Sequence, residues 1–144
     1  MRLKLLFTLI AGFAIITSCS RKKDKFLNKN FHALTTYYNI VYNGNLALEE
    51  GKAQVENAYI EDYWNILPVE RMEIKEEAAN NRQRSENSPF QRAEEKATKS
   101  IQKHSMYMGG REYNPQIDEA FLLLGKARYY DQRFVPAKDA FSFI

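Results

Sequence analysis

A chain of 144 residues with 44% apolar and 13% aromatic content carries enough apolar surface for one modest core and too little length for several domains. Its formal charge of +3 falls to about +1 when a basic leader with Arg2 and Lys4 is removed. The basic face of a nucleic-acid-binding protein is therefore not indicated.

That leader comes first in the chain. Met1 to Lys4 is short and basic, Leu5 to Ile16 is almost unbroken apolar sequence, and Ile16-Thr17-Ser18-Cys19 closes it. As a helix the apolar run reaches only about 18 Å, short of the roughly 30 Å hydrocarbon core, so residues 1–18 are expected to be a signal peptide. The closing four residues resemble the bacterial lipobox, an aliphatic residue and two small ones before an obligatory cysteine. The resemblance implies that Cys19 becomes the mature N-terminus, with diacylglycerol on its sulfur and a further acyl chain on its amine. Two or three such chains anchor a protein stably. Cys19 is also the only cysteine, as suits a periplasmic protein without disulfides. By the usual sorting logic Ser20 favours the outer membrane, and the non-acidic RKKDK run after it favours the periplasmic leaflet. Residues 19–29 are read as a solvated tether.

An N-terminal helical region is expected over 30–110. Phe31, Leu34, Tyr38, Val41 and Tyr42 recur at helical spacing, and Asn43-Gly44 makes a good stop. A second helix from Asn45 to about Tyr59, with Leu48, Gly51, Val55 and Ala58 towards its partner, would complete a helical hairpin. The segment Tyr59 to Met72 holds Trp64 and two tyrosines. It is either an aromatic contact surface or, the plainer reading, a loop that packs its rings over neighbouring helices. Glu70 to Asn87 reads as an exposed helix fraying into a polar linker near 73–87.

Ser88-Pro89-Phe90-Gln91 is a helix start. Serine caps, proline fits the first turn, and glutamine three positions on can return the bond. This helix should end near Met106, and Gly109-Gly110 and Asn114-Pro115 break the chain before its last segment. No strand is expected.

Residues 111–144 read as an incomplete helical hairpin. Ile117, Ala120, Phe121, Leu124 and Ala127 share one helix face, Ala137, Ala140, Phe141 and Ile144 the next, and Pro136 lies in a first turn. Leu124-Gly125 followed by Ala137 and Phe141 resembles the tetratricopeptide repeat, a unit of about 34 residues. Arg128 stands where that repeat usually has tyrosine, and Ile144 where it has a small alanine. The expected fold class is thus all-α, with helical hairpins of tetratricopeptide (α-solenoid) type and no sheet. Under the repeat resemblance Glu119, Leu122, Lys126, Tyr129 and Tyr130 would line a partner-binding groove. The helix ending at Ile144 has no cap, so the sequence is expected to be an N-terminal fragment of a longer protein.

No catalytic constellation assembles. His32 and His104 lie far apart in the chain without metal-ligand spacing, no glycine-rich phosphate loop is present, and Glu76-Glu77 and Glu94-Glu95 are neighbours on charged helices. No enzyme activity, cofactor, metal or small-molecule substrate is expected.

The lipobox, FHALTTYYNIVYNGNLALEEG, EDYWNILPVERM and IDEAFLLLGKARYYDQRF together resemble the N-terminal region of the SprE/PorW lipoproteins of the Bacteroidetes. The resemblance covers nearly all of the mature part, and EDYWNILPVERM is its most specific piece. It implies a periplasmic scaffold, anchored to the outer membrane, that binds proteins of the type IX secretion machine and is required for secretion and gliding motility. A lipoprotein similar to BamD, of outer-membrane protein assembly, and a glycan-binding lipoprotein resembling SusD are the other classes considered.

Overall fold

The computed structural model describes residues 26–74 and 87–144. The signal peptide, Cys19, most of the tether and the centre of the polar linker lie outside the described residues.

The first element is one long rod. Helix α1 (Phe26–Thr36) passes into a π-helical stretch (Tyr37–Tyr42) and then into α2 (Asn43–Ala58) without a break. Asn43 does not end the first helix, for its backbone stays helical at φ −67° and ψ −29°. Its side-chain amide donates to the carbonyls of Tyr38 and Asn39 at 3.1 and 3.2 Å, covering acceptors where the helix changes its bonding pattern. Gly44 is needed for space. A Cβ there would run into the Leu123 side chain. The N-terminal hairpin expected from Asn43-Gly44 is therefore replaced by a continuous helix.

Helix α3 (Pro89–His104) starts as its sequence requires. Ser88 Oγ accepts from Gln91 N at 3.1 Å, although the Gln91 amide turns to Glu95 and leaves the capping box half made. A strand pair follows, β1 (Tyr107–Met108) and β2 (Arg111–Glu112), antiparallel with Tyr107 opposite Glu112 and Met108 opposite Arg111. The chain is therefore not free of sheet. Gly109 and Gly110 have φ of 57° and 81°, the two positive values of a tight hairpin turn that folds the flanking residues back into register. Then come α4 (Ile117–Tyr130) and α5 (Phe134–Phe141).

Helix α3 is the centre of the packing, set against both α2 and α4, while α5 folds onto α4. The shared core is Ala47 and Leu48 of α2, Phe90, Ala93 and Ala97 of α3, Leu123, Leu124 and Ala127 of α4, and Ala140 of α5. So many alanines allow close helix approach, and two glycines extend it: Gly51 receives the Phe90 ring and Gly125 the Phe141 ring. The α4–α5 hairpin is the one the sequence implies. It has no second hairpin of its kind beside it, because its neighbours are a lone helix and a rod. No repeat solenoid is formed among the described residues, and the expected α-solenoid class is corrected to a mostly helical fold with a two-stranded hairpin.

The exposed helix expected over 70–87 lies largely outside the described residues; the described residues 70–74 are not helical.

Candidate functional site

The segment Tyr59 to Ile74 leaves the far end of α2 and crosses to the α4–α5 turn. Its second half is held down. Met72 is buried, Tyr130 Oη donates to Glu70 at 3.2 Å, and Gln132 Nε2 donates to the Glu73 carbonyl at 2.8 Å. Gln132 takes a left-handed backbone, φ 58°, in the turn that presents this amide.

Its first half is held in shape but left in solvent. Asp62 accepts from Trp64 N at 3.0 Å and from Asn65 Nδ2 at 2.6 Å, and the Asn65 amide bonds back to the Asp62 carbonyl at 3.2 Å, an Asx turn. Glu61 pairs with Arg71 at 2.9 Å across the segment and accepts from the Tyr63 hydroxyl. That bond, with the Glu61 charge, holds the Tyr63 phenol above its usual range. On this frame Ile60, Tyr63, Trp64, Ile66 and Val69 point outward, with Trp64 97% and Ile66 99% exposed. The rings do not pack over neighbouring helices, as the plainer sequence reading expects. The frame is closed by hydrogen bonds within the segment, so nothing draws the apolar side chains inward.

The segment meets the end of α4 through Tyr130. Glu119 and Lys126 are exposed and Leu122 and Tyr129 half-buried, at the spacing of one helix side. Tyr129 meets Phe134 edge-on at 5.6 Å. Tyr130 turns towards α2 and α3. It stacks on Phe90 at 6.1 Å and lies under the Lys52 ammonium at 5.5 Å, and burial first and Glu70 second push its phenol up to about 12. The structure thus brings Tyr130 to the anchored half of the 59–74 segment. Glu119, Leu122 and Lys126 stay on the open side. Cys19 lies outside the described residues.

Two side-chain clusters brace the helices, and each joins residues remote in the sequence. Glu94 accepts from Arg128 Nε at 3.0 Å and from Arg133 Nη2 at 2.5 Å, while Arg133 Nε reaches Asp131 at 2.7 Å. Burial pushes the Glu94 carboxyl up, but the hydrogen bonds and charges of Arg133 and Arg128 outweigh it and hold the group below its ordinary value. Glu94 is therefore not solvated surface like its neighbour Glu95. Arg128, which occupies the tyrosine position of the repeat, also donates to the Pro136 carbonyl at 3.1 Å. It ties α3, α4 and α5 together.

The second cluster joins the rod to the strand hairpin. His32 and His104 meet with their Nδ1 atoms 3.1 Å apart. Asn114, 1% exposed, donates to Thr36 Oγ1 at 3.2 Å and to the His104 carbonyl at 2.9 Å, and accepts from Gln116 N at 3.0 Å. Its own amide donates to Glu112, which also accepts from Met106 N and Ser105 Oγ. Among the described residues no three His, Cys, Asp or Glu side chains converge as a metal site would require. The arrangement combines an exposed apolar segment on a hydrogen-bonded frame with a mixed face of α4. Compared with protein-family models and with curated proteins, the chain matches none.

Proposed function

We propose that this chain is a lipid-anchored periplasmic scaffold that binds protein partners, held on the outer membrane through Cys19 and required, like the SprE/PorW lipoproteins it resembles, for type IX secretion and gliding motility. The observation that carries the binding reading is the framed run Ile60 to Val69, whose largest apolar side chains stand in solvent on a hydrogen-bonded support. Apolar side chains gathered in this way favour a partner that removes them from water, and aromatic anchors such as Trp64 and Tyr63 are the residue types that dominate such contacts.

The test is allelic replacement with Trp64→Ser, Ile66→Ser and Val69→Ser together. Substitutions at such exposed positions leave stability within about 0.5 kcal/mol, so the protein should accumulate normally. The expected result is loss of type IX secretion and of spreading, together with loss of co-purifying envelope proteins from solubilised membranes. Normal secretion with an unchanged set of companions would show the reading to be wrong.

A further inference from the structure

The first part of the rod, α1, buries its polar side, although Ile40, Val41, Ala47 and Leu48 farther along are buried as apolar residues ordinarily are. Facing the molecule are Asn28, His32, Thr36, Ile40, Gly44, Leu48 and Gly51; the first three are polar, and His32 and Thr36 are bonded within the cluster around Asn114 and His104. Facing away are Phe31, Leu34, Tyr38, Tyr42 and Leu46, each between 52% and 61% exposed. These positions step by three, four, four and four residues, a slower advance than the 3.6 of an α-helix, which would wind them round the rod. The π-helical stretch Tyr37–Tyr42, with its wider turn, keeps them in line.

We propose that this outer face lies in the interfacial layer of the membrane that holds Cys19. The inference rests on the lipid-anchor reading above, and three observations favour a bilayer over a protein as the occupant. The rod begins at Phe26, seven residues after Cys19, so its apolar face starts within about 25 Å of the acylated sulfur. From Phe26 to Leu48 the sequence contains no acidic residue and one lysine, the exposed Lys29, whereas acids begin at Glu49 and Glu50 as the rod leaves its apolar stretch. The stripe joins Tyr to Leu and Phe, the mixture that seats at the boundary between headgroups and acyl chains. No helix among the described residues is long and apolar enough to cross a membrane. The Ile60–Val69 run differs in charge and in place, being acidic at Glu61 and Asp62 and set at the other end of the rod.

The experiment uses the lipidated full chain carrying Tyr38→Cys, whose thiol is the only free one once Cys19 is acylated, labelled with an environment-sensitive dye. It is reconstituted in phosphatidylethanolamine–phosphatidylglycerol vesicles containing acyl-chain spin labels. The expected result is quenching at least about threefold greater at position 38 than at Asn57→Cys near the end of α2, diminished when Phe31, Leu34, Tyr42 and Leu46 are changed to Ser. Equal quenching at the two positions overturns the proposal. So does a dye at position 38 that is shielded from aqueous iodide in native membranes yet not reached by the lipid quencher, which would place a protein there. Failure of the anchor reading has a different sign, since the dye would then label Cys19 in the unsubstituted chain. In that event Cys19→Ser with Tyr38→Cys, at saturating vesicle concentration, measures the face alone, and the absence of preferential quenching there overturns it.

Discussion

Glu94 shows how one carboxylate joins α3 to the end of α4 and the turn that follows it. It is 9% exposed and faces Arg128 in the last turn of α4 and Arg133 in the α4–α5 turn. Removing the carboxylate charge leaves Arg128 partly buried with only the Pro136 carbonyl and Arg133 with Asp131 alone, which costs more than the pairs contribute. Glu94→Gln should lower stability by about 2 kcal/mol at neutral pH, a figure kept below the fully buried case because Arg128 and Arg133 retain some solvent. Since the folded state holds this carboxyl below its ordinary value, its contribution is present above the unfolded value near 4.5 and is lost as pH falls through the lower native one. Urea melts at pH 7 and pH 3 check this. The gap between wild type and variant should close on acidification, and a gap that stays constant would mean the ion pairs carry none of it. Spacing puts Glu94 with Phe90 and Ala97 on the inward side of α3 and Glu95 off it, but the arginines that meet Glu94 are remote in the chain, and the turn between α4 and α5 brings Arg133 there.

At the level of the elements, glycine position carries more information than glycine presence. Gly51 lies on the buried side of α2, where a Cβ would meet Phe90 Cε1 at 2.5 Å. In an open helix Gly→Ala stabilises by about 1 kcal/mol, and here overpacking of the ring costs about 1–3. Gly51→Ala should therefore destabilise by roughly 1 kcal/mol net, read as a fall in thermal midpoint. A rise would mean that the contact is slack. The same distinction separates what was legible in the sequence from what was not. Ser88-Pro89 and the α4–α5 face were readable because caps and helical spacing are local. Asn43-Gly44 was misread because glycine signals equally a helix end and a close neighbour, and the neighbour, Leu123, is remote in the chain. The Gly109-Gly110 strand pair was missed because each strand is two residues long, below any periodicity. Of the candidate surface, the aromatic run was visible by composition. Its outward direction was not, since it depends on the Asx turn at Asp62 and on Glu61 reaching Arg71.

On the scale of the whole molecule, the decisive feature is that Phe26 to Ala58 is one rod instead of a hairpin. At 1.5 Å per residue it extends for about 50 Å. A hairpin folded at Asn43-Gly44 would return the Tyr59–Ile74 segment to the level of Phe26 and place its apolar side chains beside the Phe31–Leu46 stripe. The continuous rod separates them. The polar side of α1, sealed by Asn114 and the histidine pair, fixes the rod's rotation, and the glycines of α2 fix its distance from α3 and α4. The prediction is a distance. Spin labels at Asn30→Cys and Asn57→Cys, in a Cys19→Ser background, should lie about 40 Å apart by pulsed dipolar spectroscopy. Antiparallel helices in contact would bring them within roughly 10–20 Å. A dominant short distance would remove the separation on which both surfaces depend. A broad distribution would mean that the π-helical stretch, the one place where the rod's hydrogen bonding changes, acts as a hinge.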